Sequence, residues 1–230
     1  MTRLKALLRT AAMICAAAVI TTPVRAECQS QVYSRRENDR MMIALTFDDG
    51  PHPRYTPQIL EILDKYKVRA TFFTVGENVV LWPEIVRDCI RGGHEIANHT
   101  YSHKDLSRDS YEDICREICH TETVLYEEFE IRPKLLRPPG GLYNKPVILA
   151  SAELDYTIVL WNIDTRDWAH TPAHKIAENV LTNVQAGDII LMHDYISKNS
   201  PTPAALDKMI PELLERGYNF VTVSEMLGCK

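Results

Sequence analysis

The 230-residue sequence has no low-complexity tract and no internal repeat of fixed period, which argues against a repeat architecture. Its N-terminal apolar run, from Ala11 to Ile20, is too short to span a bilayer comfortably. Basic residues are in the minority, with 26 Lys and Arg against 31 Asp and Glu. What is present is a hydrophobic fraction of 45%, which is enough for a sizeable core in one domain of ordinary size.

The first 26 residues have the pattern of an export signal. Basic residues precede the apolar run, and Val24-Arg25-Ala26 offers a small-residue cleavage site after it. We therefore expect residues 1–26 to be removed and residues 27–230 to form one domain that is exported. Its destination would be the periplasm, the cell wall or the extracellular space, without stable insertion into a membrane.

Removal of that signal would make the chain more acidic. Residues 1–26 contain four basic residues and no acidic ones, so 22 basic and 31 acidic residues remain, a net charge near −9. A balance of this sign argues against nucleic acid or an acidic polymer as the partner. It fits a neutral polymer.

Two adjacent carboxylates follow an apolar segment that is predicted to be a strand. Asp48 and Asp49 end this segment and are followed by the turn residues Gly50-Pro51. Because the backbone bends there, the two carboxylates can serve different tasks in one pocket. One could bind a cation while the other accepts a proton. The alternative is an ordinary solvated turn.

A pair of histidines supplies matching metal ligands. His99 and His103 are four residues apart, so on a helical turn both imidazoles can reach one ion. Asp49 is a suitable third ligand. Two histidines and one carboxylate, with a position left for water, are a ligand set of hydrolytic zinc sites. His94 lies inside the preceding predicted strand, and we interpret it as structural.

Five segments together resemble the motifs of the polysaccharide deacetylases, carbohydrate esterase family 4. The first two are Thr46-Phe47-Asp48-Asp49-Gly50-Pro51 and His99-Thr100-Tyr101-Ser102-His103. The third, fourth and fifth are Arg137-Pro138-Pro139-Gly140-Gly141, Asp164-Thr165-Arg166-Asp167-Trp168 and Leu191-Met192-His193. They occur in the family's order and span most of the chain after the predicted signal.

The resemblance implies roles for the residues of the first three motifs. Asp49, His99 and His103 would hold a divalent metal, with zinc as the first choice and cobalt or another divalent ion as alternatives. Asp48 would take the proton of the attacking water, and Arg137 would be its ion-pair partner.

The remaining motifs imply the other half of the chemistry. The backbone N–H of Gly140 would stabilise the oxyanion, at a position where the family commonly has Tyr. His193 would be the general acid, with Asp167 holding its other ring nitrogen.

Substrate contacts are implied for Trp168 and Leu191, which resemble the apolar pocket for the acetyl methyl group. Pro139 and Tyr143 are further candidates, and Tyr143 could compensate for the missing family Tyr. Trp82 and Trp161 could be sugar platforms, although a core position is favoured for both.

The predicted strands and helices alternate along the chain. This alternation implies a parallel sheet with helices outside it, an α/β fold. About seven strands favour a distorted, TIM-like (β/α) barrel, which the resemblance also implies. Thr56 is the predicted cap of the first helix. The predicted strands are 42–48, 70–76, 94–99, 135–137, 156–164, 188–194 and 219–223, and the later helices are 83–91, 110–130, 145–154, 173–185 and 204–216.

An odd number of cysteines, five, follows the predicted signal. Export to an oxidising compartment favours disulfides. We predict one between Cys28 and Cys229 near the termini and one from Cys89 to either Cys115 or Cys119. One thiol would remain free.

These features predict a metal-dependent N-deacetylase that releases acetate from N-acetylglucosamine residues of a glycan, acting as a monomer. Peptidoglycan is the first choice of substrate, because an exported chain without a visible carbohydrate-binding module would meet that polymer on leaving the cytoplasm. The alternatives are chitin or chitooligosaccharide, then acetylxylan O-deacetylation, then a non-catalytic glycan-binding protein on the same scaffold. A glycoside hydrolase with paired acids is disfavoured, because the two histidines would have no function in its mechanism.

Overall fold

The computed structural model describes residues 31–196 and 198–228, and within them the chain forms nine strands and eight α-helices. The strands are β1 Val32–Tyr33, β2 Met42–Asp48, β3 Thr71–Thr74, β4 Glu95–Asn98, β5 Leu135–Leu136, β6 Thr157–Val159, β7 Ile163–Asp164, β8 Ile189–His193 and β9 Asn219–Phe220. The helices are α1 Tyr55–Tyr66, α2 Gly76–Leu81, α3 Pro83–Arg91, α4 Tyr111–Phe129, α5 Lys145–Glu153, α6 Ala173–Asn183, α7 Thr202–Glu215 and α8 Val223–Leu227.

The strands form one curled parallel sheet in the order β1-β6-β5-β4-β3-β2-β8-β7, and β9 pairs with β2. Helices cover its outer face. In the part of the chain that the structure describes, no strand pairing joins β7 to β1 or β6, so the barrel stays open at that seam. The prediction of a distorted, TIM-like α/β barrel is confirmed.

The predicted strand 156–164 is wrong as a single element, because it divides into β6 and β7. The buried guanidinium of Arg137 explains the division, since it donates to the carbonyls of Val159 and Leu160 at 3.1 and 3.0 Å. The backbone then changes partner, because Leu160 N–H donates to Tyr33 but Asn162 N–H donates to Ile189. The seam of the barrel therefore begins at this bend.

Alternate side chains of β2 point to opposite faces of the sheet, one set toward the outer core and the other into the barrel. Ile43, Leu45 and Phe47 are fully buried and pack with the helices in the outer hydrophobic layer. Thr46 lies on the opposite face, inside the barrel, where its hydroxyl accepts a hydrogen bond from Arg137. The short helix α8 packs into a second cluster with buried residues of six strands and was missing from the sequence prediction, which extended a strand to Val223.

The start of α1 also differs from prediction. The helix begins at Tyr55, and Thr56 lies inside its first turn instead of capping it. His52 replaces it, because its Nδ1 accepts from the backbone N–H groups of Arg54 and Tyr55 at 3.0 and 3.2 Å. The hydroxyl of Thr56 is engaged elsewhere, by the carboxylate of Asp194.

The disulfide predicted from Cys89 to Cys115 or Cys119 is wrong, since all three are free cysteines. Cys89 is buried in the outer core layer, whereas Cys115 packs in a different cluster beside α5 and Cys119 is exposed. The Cys28–Cys229 pair and the predicted signal 1–26 lie outside the described residues. Among the residues that are described, no helix combines the length and apolar character needed to cross a membrane.

Candidate active site

All five motifs meet at the C-terminal ends of the strands, where the loops of such a barrel build its site. There they enclose a cavity of about 370 Å³. Its lining consists of Asp48, Asp49, His99, His103, Gly140, Trp161, Asp164, Trp168, Leu191 and His193.

Asp49, His99 and His103 form a cluster of potential metal ligands, with one ligand atom of each lying within 4.8 Å of the others. Nε2 of His99 and Nε2 of His103 lie 3.3 and 3.0 Å from Oδ1 of Asp49. Nδ1 of His99 donates to the carbonyl of Arg137 at 2.6 Å, which leaves the Nε2 lone pair directed at the cluster. The donor types and their orientation therefore fit a divalent cation.

The backbone of the cluster is held in an unusual conformation. Asp49 and His103 have φ angles of 77° and 56°, in the left-handed region that residues other than glycine seldom adopt. Glu117 of α4 fixes the loop between the two histidines by accepting from the N–H groups of Tyr101 and Ser102 at 3.0 and 2.8 Å. The strain is thus maintained by contacts outside the cluster.

Contacts within the cluster shift the pKa values of Asp49 and His103. Burial alone would raise the pKa of Asp49, but its contacts with the imidazoles of His103 and His99 hold it well below its usual value. The hydrogen bond to Asp49 raises the pKa of His103. The carboxylate is therefore ionised and available as an oxygen ligand.

Asp48 points its carboxylate between the cluster and Arg137. Nη1 of Arg137 lies 2.6 Å from Oδ1 of Asp48, and both side chains are almost completely buried. Oδ2 of Asp48 is 3.7 Å from Nε2 of His99. One carboxylate oxygen is thus occupied by the guanidinium, while the other faces the ligand cluster.

Asp167 holds His193 on the far side of the cavity. Its Oδ1 lies 2.8 Å from Nδ1 of His193, and its Oδ2 accepts from the His193 backbone N–H at 2.7 Å and from the Thr202 hydroxyl at 2.6 Å. Burial would lower the pKa of His193, but the hydrogen bond and charge of Asp167 raise it to about 9. The imidazole is therefore protonated at neutral pH, with Nε2 free of Asp167.

The structure brings two of the four predicted substrate residues to the cavity. Trp168 and Leu191 line it, whereas Pro139 and Tyr143 lie outside the lining. Gly140 lines it with a φ of 63°, and a Cβ added there would approach no atom closer than the Cγ of Leu142 at 3.6 Å. A residue other than glycine at this position would have a strained backbone conformation but would not clash with neighbouring atoms.

Sequence reasoning left two lining residues without a site role. Trp161 was expected in the core, and Asp164 had no assigned task, yet both face the cavity. Their position three residues apart at the end of one predicted strand was the signal that could have placed them together.

The chain is similar in sequence to known proteins. Residues 35–159 match the polysaccharide deacetylase family in sequence. A peptidoglycan-N-acetylglucosamine deacetylase of Bacillus cereus is 44% identical over 195 residues, covering 84% of this chain and 91% of that protein.

Two solved structures extend the comparison to the fold. A crystal structure of a peptidoglycan N-acetylglucosamine deacetylase has a TM-score of 0.83 and 37% identity, covering 87% of this chain and 94% of that one. A family 4 acetyl xylan esterase from Clostridium thermocellum, in complex with a cobalt ion, has a TM-score of 0.75 and 36% identity, covering 81% and 90%. Since residues 35–159 match this family and these relatives share 36–44% identity over at least 81% of the chain, the chain belongs to the polysaccharide deacetylase family.

Proposed function

We propose that this protein is a metal-dependent N-deacetylase that removes acetate from N-acetylglucosamine residues of peptidoglycan. The observation that carries the proposal is the Asp49–His99–His103 cluster, which opens into the same cavity as Asp48 and His193. We assign zinc as the ion, and cobalt or another divalent ion could replace it. When bound, the ion would polarise the acetyl carbonyl and acidify water.

Asp48 acts as the base in this proposal. Its Oδ1 is fixed by Arg137 at 2.6 Å, so Oδ2 accepts the proton of the attacking water. Buried Arg137 also contacts Thr46 and two carbonyls, which gives the carboxylate a single orientation. The pair thus supplies a base whose orientation is fixed before the substrate binds.

His193 acts as the acid for the departing amine. Because Nδ1 is bonded to Asp167, the proton on Nε2 is the one available to the leaving nitrogen. The N–H of Gly140 would donate to the oxyanion, and Trp168 and Leu191 would pack around the acetyl methyl group. Pro139 and Tyr143, outside the cavity lining, would contact only the extended glycan.

Peptidoglycan is favoured as the substrate by the 44% identity to the peptidoglycan-N-acetylglucosamine deacetylase of Bacillus cereus. We further propose that residues 1–26 direct export and that residues 27–230 act as a monomer in the periplasm, the cell wall or the extracellular space. A glycan-binding protein without catalysis would be expected to lack a ligand or the base, and this chain has both.

An acetate-release assay tests the proposal. Zinc-loaded protein is incubated with peptidoglycan, N-acetylglucosamine oligomers and acetylxylan at equal acetyl content. We expect peptidoglycan to be deacetylated fastest and acetylxylan poorly. Faster turnover of the oligomers or of acetylxylan would replace the substrate by chitooligosaccharide or by an O-acetyl ester, and no acetate from any substrate would favour glycan binding alone.

A further inference from the structure

Asp194 is a buried carboxylate beside the catalytic cavity that the mechanism above does not use. It follows His193 directly at the end of β8, and only 1% of its surface is exposed. Its Oδ1 is buried and has no hydrogen-bond partner among residues 31–196 and 198–228. Because an unsatisfied buried carboxylate oxygen is costly, its presence calls for a compensating role.

The first contact of Asp194 is with the base residue itself. The backbone N–H of Asp194 donates to the carbonyl of Asp48 at 3.2 Å, at the point where β2 ends. This bond continues the pairing of β2 with β8 by one position. It fixes the backbone position of Asp48 at the end of β2, from which the side chain extends.

The side chain of Asp194 holds the other end of the same segment. Its Oδ2 accepts from the Thr56 hydroxyl at 2.6 Å, and the oxygen of that hydroxyl accepts from the backbone N–H of His52 at 2.8 Å. Asp194 is thus connected directly to the backbone of Asp48 and, through the Thr56 hydroxyl, to the backbone of His52. The segment between these two points, residues 48–52, carries the base and the carboxylate ligand Asp49.

Gly50 lies directly against the carboxylate. A Cβ added to Gly50 would come within 2.0 Å of Oδ2 and 2.3 Å of Oδ1 of Asp194. The segment is therefore folded around the acid group so closely that any side chain at position 50 would displace it. The contact also explains why the carboxylate is shielded from water.

Partners outside Asp194 fix the same segment from the opposite side. The Gly50 carbonyl accepts from Val75 N–H at 2.9 Å, and the Asp49 carbonyl accepts from Asn78 Nδ2 at 2.7 Å. These contacts come from β3 and α2, whereas Asp194 approaches from β8. Removing the Asp194 side chain would break its bond to Thr56 and leave the backbone bond to Asp48 in place, so residues 48–52 would lose part of their attachment on the β8 side.

From this arrangement we propose that Asp194 is a positioning residue, which aims the carboxylates of Asp48 and Asp49 into the cavity by fixing the backbone of residues 48–52. The effect on turnover rests on the proposed deacetylase function. The effect on metal affinity does not, because Asp49 belongs to the ligand cluster whatever the substrate is.

The shape of Asp194 matters in this role more than its charge. Its side-chain hydrogen bond comes from the neutral hydroxyl of Thr56 and not from a cation, and burial raises the pKa of the carboxyl group. Asparagine has the same shape and keeps one oxygen that can accept from Thr56. Asp194→Asn should therefore preserve the position of the segment, and Asp194→Ala should release it.

The test compares these two variants with a matched control, Asp188→Ala. Asp188 lies just before β8, at the end remote from the cavity, is also 1% exposed, and accepts from Asn162 Nδ2 and Gln185 N–H at 2.6 and 2.8 Å. Both alanine variants remove a buried, hydrogen-bonded carboxylate next to the same strand. Zinc affinity is measured by calorimetry, kcat and KM by acetate release, and the folded fraction by thermal unfolding.

We expect Asp194→Ala to weaken zinc binding by about 10-fold or more and to lower kcat by about 10-fold or more, with KM changed much less. Asp194→Asn should stay within about 3-fold of the wild type in both quantities, a span of less than 1 kcal/mol. Asp188→Ala should lower the unfolding temperature but retain the wild-type kcat and zinc affinity per folded molecule.

Wild-type zinc affinity and kcat in Asp194→Ala would overturn the proposal. Equal losses in Asp194→Asn and Asp194→Ala would also overturn it, since charge and not shape would then be decisive. A wild-type protein that binds zinc but releases no acetate would refute the proposed function alone, and the zinc affinities of the variants would still decide the role of Asp194.

Discussion

Asp167→Asn is the substitution that should separate the acid from the rest of the site. Asp167 is fully buried and accepts four hydrogen bonds, two of them from His193 and the others from Thr202 and Trp168. Asparagine keeps the volume but removes the charge that opposes the effect of burial on His193. The pKa of His193 should then fall from about 9 to its ordinary value near 6.5 or lower.

The size of the effect follows from the protonated fraction of His193. At pH 8 a group with a pKa of about 9 is roughly nine-tenths protonated, whereas one with a pKa of about 6.5 is roughly 3% protonated. Amide hydrolysis at pH 8 should therefore fall by about 30-fold or more, and the alkaline limb of the pH–rate profile should move toward neutral pH.

The same pKa change has a consequence for stability. Since the folded-state pKa is raised, protonated His193 contributes stability that is fully present below about pH 6.5 and is lost as the pH rises through about 9. The shift corresponds to about 3 kcal/mol as an order of magnitude. Asp167→Asn should be less stable than the wild type at pH 6 by more than it is at pH 10.

Two measurements check this prediction. Rates on an N-acetylglucosamine oligomer are recorded from pH 5 to 10 with saturating zinc, and His193 is titrated by NMR. Thr202→Val is the control, because it removes one bond to Asp167 without removing charge, and its alkaline limb should move far less. An alkaline limb near pH 9 in Asp167→Asn would refute the pairing of His193 with Asp167 as the acid.

Four further substitutions test other parts of the site. Asp48→Asn should retain zinc binding and lose turnover, whereas Asp49→Asn should also lose zinc affinity by calorimetry; the same zinc affinity in both would contradict their separate roles. Arg137→Met should lower the free energy of unfolding in urea by about 3–5 kcal/mol, because Asp48 loses its buried partner, and a change below about 1 kcal/mol would argue against that pairing. His193→Ala should lose amide hydrolysis by roughly 100-fold but keep much more activity on an activated acetyl ester, and equal losses would remove its assignment as the acid.

The sequence predicted the strand ends well, because local signals determine them. β2 has the predicted bounds, and β8 starts one residue later and ends one residue earlier than predicted. Asp48 and His193 therefore occupy the expected edge of the sheet. The predicted helix 110–130 begins at Ser110, which caps α4 because its hydroxyl accepts from Asp113 N–H at 3.2 Å. In each case the determining residues are close in the sequence.

The features that were missed depend on contacts between distant residues. The division of strand 156–164 follows from the side chain of Arg137, and the position of Trp161 in the cavity follows from that division. Thr56 resembled a helix cap, but Asp194, which lies 138 residues later, engages its hydroxyl. The free Cys89 reflects packing in the core, which spacing along the chain could not show.

The most direct test of metal-dependent N-deacetylation is a balance of products on one N-acetylglucosamine oligomer. Released acetate and newly formed amine are measured together for the wild-type protein, after removal of metal with a strong chelator, and after addition of zinc. The mechanism predicts equal amounts of acetate and amine, no turnover in the metal-free protein and recovery with zinc. Undiminished acetate release from a preparation verified to be free of metal would contradict it.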